Sequence, residues 1–213
     1  ESMRLMHEKC VGKGLDVRLF LLDFGACGPL ALTLHILRFV KEYATAGLVF
    51  VCDFYLPLYG CPKRPETVVV QLWHGCGALK KFGHSTPDDI PAYLSKKGHT
   101  NYSLAPVSAP AAVPHFREAF RAGDDVVKPL GVSRTDVLFD RPSLERRRAD
   151  FLERNPGAKG KRILLYAPSF RGDASDPAPF ALPDFERMSV AFGGQYALFV
   201  KLHPLMHKKR ALD

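Results

Sequence analysis

What this sequence lacks narrows its chemistry first. Its five cysteines, Cys10, Cys27, Cys52, Cys61 and Cys76, are odd in number and form no CxxC pair, so neither a zinc ribbon nor a dithiol redox motif is indicated. Such thiols fit a reducing compartment, and Cys27 and Cys52, set in apolar stretches, are expected to be small buried hydrophobes. There is no GxGxxG, GxxxxGK[ST] or GxSxG, which removes the dinucleotide fingerprint, the P-loop and the nucleophile elbow. The apolar run without a charged residue from Phe24 to Leu37 has fourteen residues, too few to cross a bilayer as a helix. No basic-then-apolar leader opens the chain, so any membrane contact is expected to be peripheral. Zinc-finger spacing, an RNA-binding aromatic pattern and a recognition helix are all missing, and no specific nucleic acid is expected as partner. Neither an internal repeat nor a low-complexity tract occurs.

What is present is an ordinary globular composition with a basic surplus. The 213 residues are 46% apolar, enough to bury a core in one large domain or two modest ones. Lys and Arg number 30 against 22 Asp and Glu, a net charge of +8. That surplus favours anionic partners: phosphorylated metabolites, an acidic membrane surface or nucleic acid. Part of it lies in "ERRR", "KGKR" and "HKKR", runs that read equally well as solvated surface.

The order of elements is that of an α/β protein. "DVRLFLLDF", 16–24, reads as a strand buried on both faces. Pro29 suits the first position of a helix, and Leu30, Leu34 and Leu37 carry helical spacing up to Gly47. "LVFVCDF", 48–54, is a second strand, and strand–helix–strand within about forty residues implies a parallel sheet. A loop at 55–66 leads to the strand "TVVVQLW". Further strands are expected at 102–107 and 125–132, with a helix near 114–121 between them. A charged helix at 142–154 precedes "RILLYAPSF" and "YALFVKLHP", two more strands, with a helix near 185–192 between them. The boundary is drawn at 145/146, giving domains 1–145 and 146–213. The second offers two strands before Asp213, so it is expected to be incomplete.

In open parallel sheets, ligands bind beyond the carboxyl ends of strands. Here those ends carry imidazoles and cations. The first reads Trp73-His74-Gly75 and continues through Gly77 to Lys80 and Lys81. Glycines let backbone N–H groups turn towards an anion, lysines add charge, and a neutral imidazole can take a proton from an attacking hydroxyl. The bland alternative for His74 is a histidine satisfied by backbone where a strand turns. A metal site built on His74 and Cys76 finds no further ligands at suitable spacing. The second end reads Ser169-Phe170-Arg171-Gly172, a hydroxyl beside a planar fork suited to phosphate oxygens; pairing of Arg171 with Asp173 or Asp176 is its structural alternative. The third carries Lys201 and His203. A further cluster, Gly131 to Asp136, contains Arg134 and Asp136. No strand end carries a pair of carboxylates, which argues against glycoside hydrolysis and for a multiply negative ligand.

Four stretches, "VVVQLWHGCGALKKFG", "LGVSRTDVLF", "ILLYAPSFRG" and "FVKLHP", together resemble the CDP-glycerol glycerophosphotransferases, the teichoic acid primases and polymerases of bacteria. The likeness runs over roughly residues 40 to 205, and "YATAGLVFVCDF" upstream is similar too. It implies a GT-B architecture of two Rossmann-like domains with parallel sheets, the first on the acceptor side and the second, truncated here, binding the CDP-alcohol. It implies transfer of glycerol phosphate, or a related polyol phosphate such as ribitol phosphate, to an acceptor hydroxyl with release of CMP. By motif, His74 would be the general base and His203 a second catalytic histidine. Gly75, Lys80, Arg134, Asp136, Ser169, Arg171 and Lys201 would hold substrate. The donor is a substrate rather than a cofactor, and no metal ligand set is evident. The acceptor implied is a lipid-linked or polymeric polyol phosphate, met in the cytoplasm or at the inner membrane face.

Departures from the pattern fall at named positions. Cys76 stands where the family has threonine after Trp-His-Gly, "GVSRTD" replaces a proline-containing "GYPRND"-like stretch, and Ser169 replaces a common threonine. The family's Thr-Asp-Tyr-Ser-Ser donor motif does not occur in this sequence. Two other readings stay open on the residues themselves: a GT-B glycosyltransferase using a nucleotide sugar, and a non-catalytic basic module that binds membrane or polymer.

Overall fold

The apolar runs of the sequence become short parallel strands, each followed by a polar turn. The computed structural model describes residues 2–22, 27–86, 89–169, 182–203 and 206, and it divides the chain into two compact units, 1–139 and 140–213.

In the first unit, helix α1 (Ser2–Gly12) precedes helix α2 (Pro29–Tyr43), which has proline at its first turn. Strand β1 (Leu48–Val51), the short helix α3 (Leu56–Gly60) and strand β2 (Val68–Gln71) follow. Strand β3 (Ala105–Pro106), helix α4 (Val113–Phe120) and strand β4 (Val127–Lys128) complete it. β1 and β2 pair in parallel, Leu48 opposite Val68 through Val51 opposite Gln71. A single parallel bridge, Val70 to Leu104, joins β2 to the β3–β4 pair, itself parallel. The carboxyl ends of β1 and β2 therefore lie side by side.

The core beneath them is aromatic. Phe39 and Tyr43 of α2, Leu58 and Tyr59 of α3, Trp73, Phe82, Tyr102, Phe116 and Phe120 are all buried in one cluster. Phe120 is 2% exposed and packs edge-on to Trp73, with ring centroids 5.3 Å apart. Such edge-to-face pairs add to the burial of large apolar area.

The second unit pairs strand β5 (Arg162–Tyr166) with strand β6 (Tyr196–Val200) in parallel, between helices α5 (Arg141–Arg154) and α6 (Phe185–Phe192). Asp140 and Asp184 cap the two helices, accepting from the N–H of Ser143 and of Arg187, the stabilising role expected of an N-cap carboxylate. Phe151 of α5 meets Phe199 of β6, and Tyr166 of β5 meets Phe185 of α6.

Several expectations are corrected. Residues 16–22 form no strand, and Leu19 and Leu21 are 50% and 70% exposed. A cavity of about 660 Å³ is lined by both this segment and β1, and without a ladder partner an apolar run does not become a strand. The strands expected at 102–107 and 125–132 shrink to two-residue pairs. The loop at 55–66 contains α3, and α1 was not foreseen. Cys27 and Cys52 are only partly buried. Among the described residues, no helix is long and apolar enough to cross a membrane.

Candidate active site

The first unit turns its chemistry outwards at the end of β2. After Gln71, Leu72 and Trp73 stay buried while His74 is exposed. Trp73 adopts a left-handed backbone, φ 54°, an outlier for so bulky a residue. The glycines singled out in this loop, Gly75 and Gly77, have no such φ. A Cβ on Gly75 would meet Trp73 Cδ1 at an ordinary 3.6 Å, and one on Gly77 would meet nothing within 4 Å. The turn is thus made by the tryptophan. Its indole stacks on the His74 ring at 4.3 Å, giving the imidazole an apolar floor.

His74 faces a carboxylate. Its Nδ1 lies 3.6 Å from Oδ1 of Asp53, which sits just beyond the end of the neighbouring strand β1. Asp53 also accepts from the N–H of Phe54 at 2.7 Å, which fixes its direction. The contact is too long for a hydrogen bond, but a carboxylate charge on the Nδ1 side favours the tautomer with its proton there and leaves the Nε2 lone pair open. On the other side Arg134, in the turn Ser133–Leu138, donates through Nη1 to the carbonyl oxygen of His74. The Nε of Arg134 and Oγ of Ser133 are buried with no hydrogen-bond partner among the described residues. Lys80, Lys81 and Asp136 are exposed.

Below the loop lies a closed polar network. Gln71, 0% exposed, donates through Nε2 to the carbonyl of Asp53 at 3.1 Å and to the Tyr102 hydroxyl at 2.8 Å. Its Oε1 accepts from the N–H of Trp73 at 2.9 Å. The Tyr102 hydroxyl also meets the Tyr59 hydroxyl and, at 2.9 Å, Nδ1 of His99. Burial, and then the nearby His84, push His99 down to about 3, so its ring is neutral. Burial pushes Tyr102 up to about 12 and raises Tyr59 as well. One pattern serves the Gln71 amide and both tyrosine hydroxyls: Tyr59 donates to Tyr102, and Tyr102 donates to Nδ1 of His99.

In the second unit, Ser169 and Lys201 lie just past the adjacent ends of β5 and β6, both exposed. The N–H of Lys201 donates to the carbonyl of Tyr166 at 2.9 Å. His203 is partly buried. These three share one edge of one sheet; Arg171 falls outside the described residues. Among the described residues, no group of three or more His, Cys, Asp or Glu is placed to hold a metal ion. Within the first unit, the structure brings His74 and Arg134 together. Asp53, Gln71, Tyr102 and His99 were missed. Asp53 was findable, because it ends an apolar strand just as His74 does.

The histidine and the carboxylate stand at the carboxyl edge of a parallel sheet, where such sheets bind ligands, with an arginine holding the same loop. The sequence profile of the CDP-glycerol:poly(glycerophosphate) glycerophosphotransferases matches residues 31–213, and the chain belongs to that family. It is 40% identical over 196 residues to the teichoic acid ribitol-phosphate primase of Bacillus spizizenii, covering 88% of this chain and 50% of the relative. It is 34% identical over 168 residues to the teichoic acid ribitol-phosphate polymerase TarK of Staphylococcus aureus, covering 77% and 33%. The chain thus spans half or less of these relatives. In fold it resembles a histidine-to-alanine variant of the wall teichoic acid polymerase TagF, with a TM-score of 0.65 at 19% identity, over 83% of this chain and 45% of that one.

Proposed function

We propose that the protein carrying this chain transfers a polyol phosphate from a CDP-alcohol to an acceptor hydroxyl, releasing CMP, in the synthesis of a teichoic-acid-like polymer. The observation that carries this reading is the His74–Asp53 pair, standing at the strand end of a chain that belongs to the glycerophosphotransferase family. The acceptor oxygen attacks the phosphorus that bears the polyol, the bond from that phosphorus to the bridging oxygen breaks, and CMP leaves with the bridging oxygen. His74 takes the hydroxyl proton at Nε2. General-base help of this kind contributes about 10²–10⁴-fold.

Arg134, Lys80 and the Gly75 loop neutralise charge on the transferring phosphate, with Asp136 nearby; a preorganised cationic site stabilises charge developing there. Ser169, Arg171, Lys201 and His203 contact the donor, His203 as a second catalytic histidine. This assigns acceptor binding to the first domain and the CDP-alcohol to the second, in a GT-B arrangement of two Rossmann-like domains. The likeness to TagF supports that arrangement, and two of the TagF structures are of crystals soaked with CDPG.

Ribitol phosphate is the favoured cargo. Relatives named for ribitol phosphate are 34% to 40% identical, whereas those named for glycerol phosphate are 24% to 27% identical. The acceptor is a lipid-linked or polymeric polyol phosphate, and the net charge of +8 supports peripheral contact with an anionic inner membrane face. The test is CMP release by the protein carrying this chain from CDP-ribitol and CDP-glycerol with a polyol-phosphate acceptor. Release that falls at least a hundredfold in His74→Ala is expected; turnover of UDP-sugars instead would overturn the reading.

A further inference from the structure

We infer that Gln71 is a positioning residue for the reaction: its single buried amide ties together the two strand ends that carry Asp53 and His74. The inference rests on the functional reading of His74 given above.

Two adjacent parallel strands end within reach of one another, but nothing in a ladder fixes how their trailing residues point. The last residue of β2 supplies that restraint. Gln71 Nε2 spends one proton on the Asp53 carbonyl and the other on the Tyr102 hydroxyl, while Oε1 accepts the N–H of Trp73. The orientation of the amide is dictated by its partners, since a carbonyl can only accept and a backbone N–H can only donate. One side chain therefore grips the residue whose carboxylate faces His74 and the residue immediately before His74.

The grip on Trp73 matters because that residue is held in a left-handed conformation, which is unfavourable for a non-glycine residue and persists only where its surroundings hold it. That turn takes the chain off the line of β2 and brings His74 out of the core. The buried ring network behind it supplies the counterweight. Tyr102 holds the Gln71 amide, and Tyr59 and the neutral His99 hold Tyr102. A buried polar group is costly when unpaired, and here the Gln71 amide and both tyrosine hydroxyls are paired. Gln71 itself does not reach the surface, so it acts only through the two residues it holds.

The test uses Gln71→Met and Gln71→Glu in the protein carrying this chain. Met removes all three bonds at similar length; Glu keeps the acceptor for Trp73 and loses both donors. Expected is a 10- to 100-fold fall in kcat with KM within about threefold, smaller for Glu than for Met. In ¹⁵N spectra, His74 moves from a protonated Nδ1 towards a mixture of tautomers. Folded variants with wild-type kcat, or with a raised KM alone, overturn the proposal. Should both variants fail to fold, amide exchange in the unaltered protein decides: the Trp73 N–H is expected to exchange at least a hundredfold more slowly than that of exposed His74, and equal rates overturn the proposal. The exchange and tautomer measurements need no substrate. A protected Trp73 amide and a single His74 tautomer in a protein inactive on every CDP-alcohol would therefore defeat the functional reading and leave the positioning role standing.

Discussion

Arg134 donates to the main-chain oxygen of His74, sixty residues away in sequence. The contact ties the turn Ser133–Leu138 to the loop after β2. A charged hydrogen bond of this kind is worth about 1.5–3 kcal/mol, so Arg134→Ala is expected to lower kcat/KM at least tenfold. Arg134→Lys should recover little, because an ammonium lacks the planar fork that serves a carbonyl and a phosphate together. Initial rates of CMP release decide it; an unchanged kcat/KM in Arg134→Ala would remove the arginine from the site.

Asp53 and His74 should behave as one unit. Asp53→Asn leaves the size unchanged but withdraws the charge opposite Nδ1, and a 10- to 100-fold loss in kcat is expected with KM nearly constant. Combined with His74→Ala, it should add little to the loss from His74→Ala alone, since residues acting together are not additive. Fully multiplicative losses in the double variant would show that the pair is not coupled.

Phe120 is a stability position. It is 2% exposed and meets Trp73, Phe82, Phe116, Tyr102 and His99 ring to ring. Phe120→Ala is expected to cost about 3–5 kcal/mol, read from urea midpoints at constant m-value. A cost below 1 kcal/mol would mean that this cluster is not the core.

Acid should destabilise the first unit through His99. Its folded pKa of about 3 lies below the ordinary 6.5, so the unfolded chain binds the extra proton between those values. The contribution is intact above pH 6.5 and declines as pH falls towards 3, by up to about 1.4 kcal/mol per pH unit. His99→Asn, which tolerates the left-handed backbone there (φ 58°), should lower stability at pH 7 yet flatten its dependence on pH between 6.5 and 4. An unchanged slope would assign the acid sensitivity to other groups.

Much of the fold was legible because strands and helices leave different spacings. The runs "LVFV", "VVVQ", "RILLY" and "YALFV" became β1, β2, β5 and β6, and the helices near 114–121, 142–154 and 185–192 formed within a residue or so. α2 formed as well, but Leu30, Leu34 and Leu37 are its exposed stripe, while Phe39 and Tyr43 are its buried one. Spacing reveals a helix without saying which side the core lies on. The segment 16–22 misled for a related reason, since hydrophobicity does not report whether a neighbouring edge is within hydrogen-bonding reach. α3 was hidden by its five-residue length, too short for any period to show.

At the site, His74 stood out because an imidazole at a strand end has few bland explanations. Asp53 belongs to no motif in the sequence, and Gln71, a polar residue closing an apolar strand, reads as mere punctuation. Its three bonds are visible only when residues 53, 71, 73 and 102 are brought together in space.

With Trp73 left-handed, the heading of the imidazole is inherited from a peptide plane rather than chosen by its own rotamer. Side-chain swings can still retune its reach as acceptors vary in length, while the anchorage stays fixed. A one-residue insertion or deletion between Gln71 and His74 would do what no point substitution does, turning the ring back towards the hydrophobic interior.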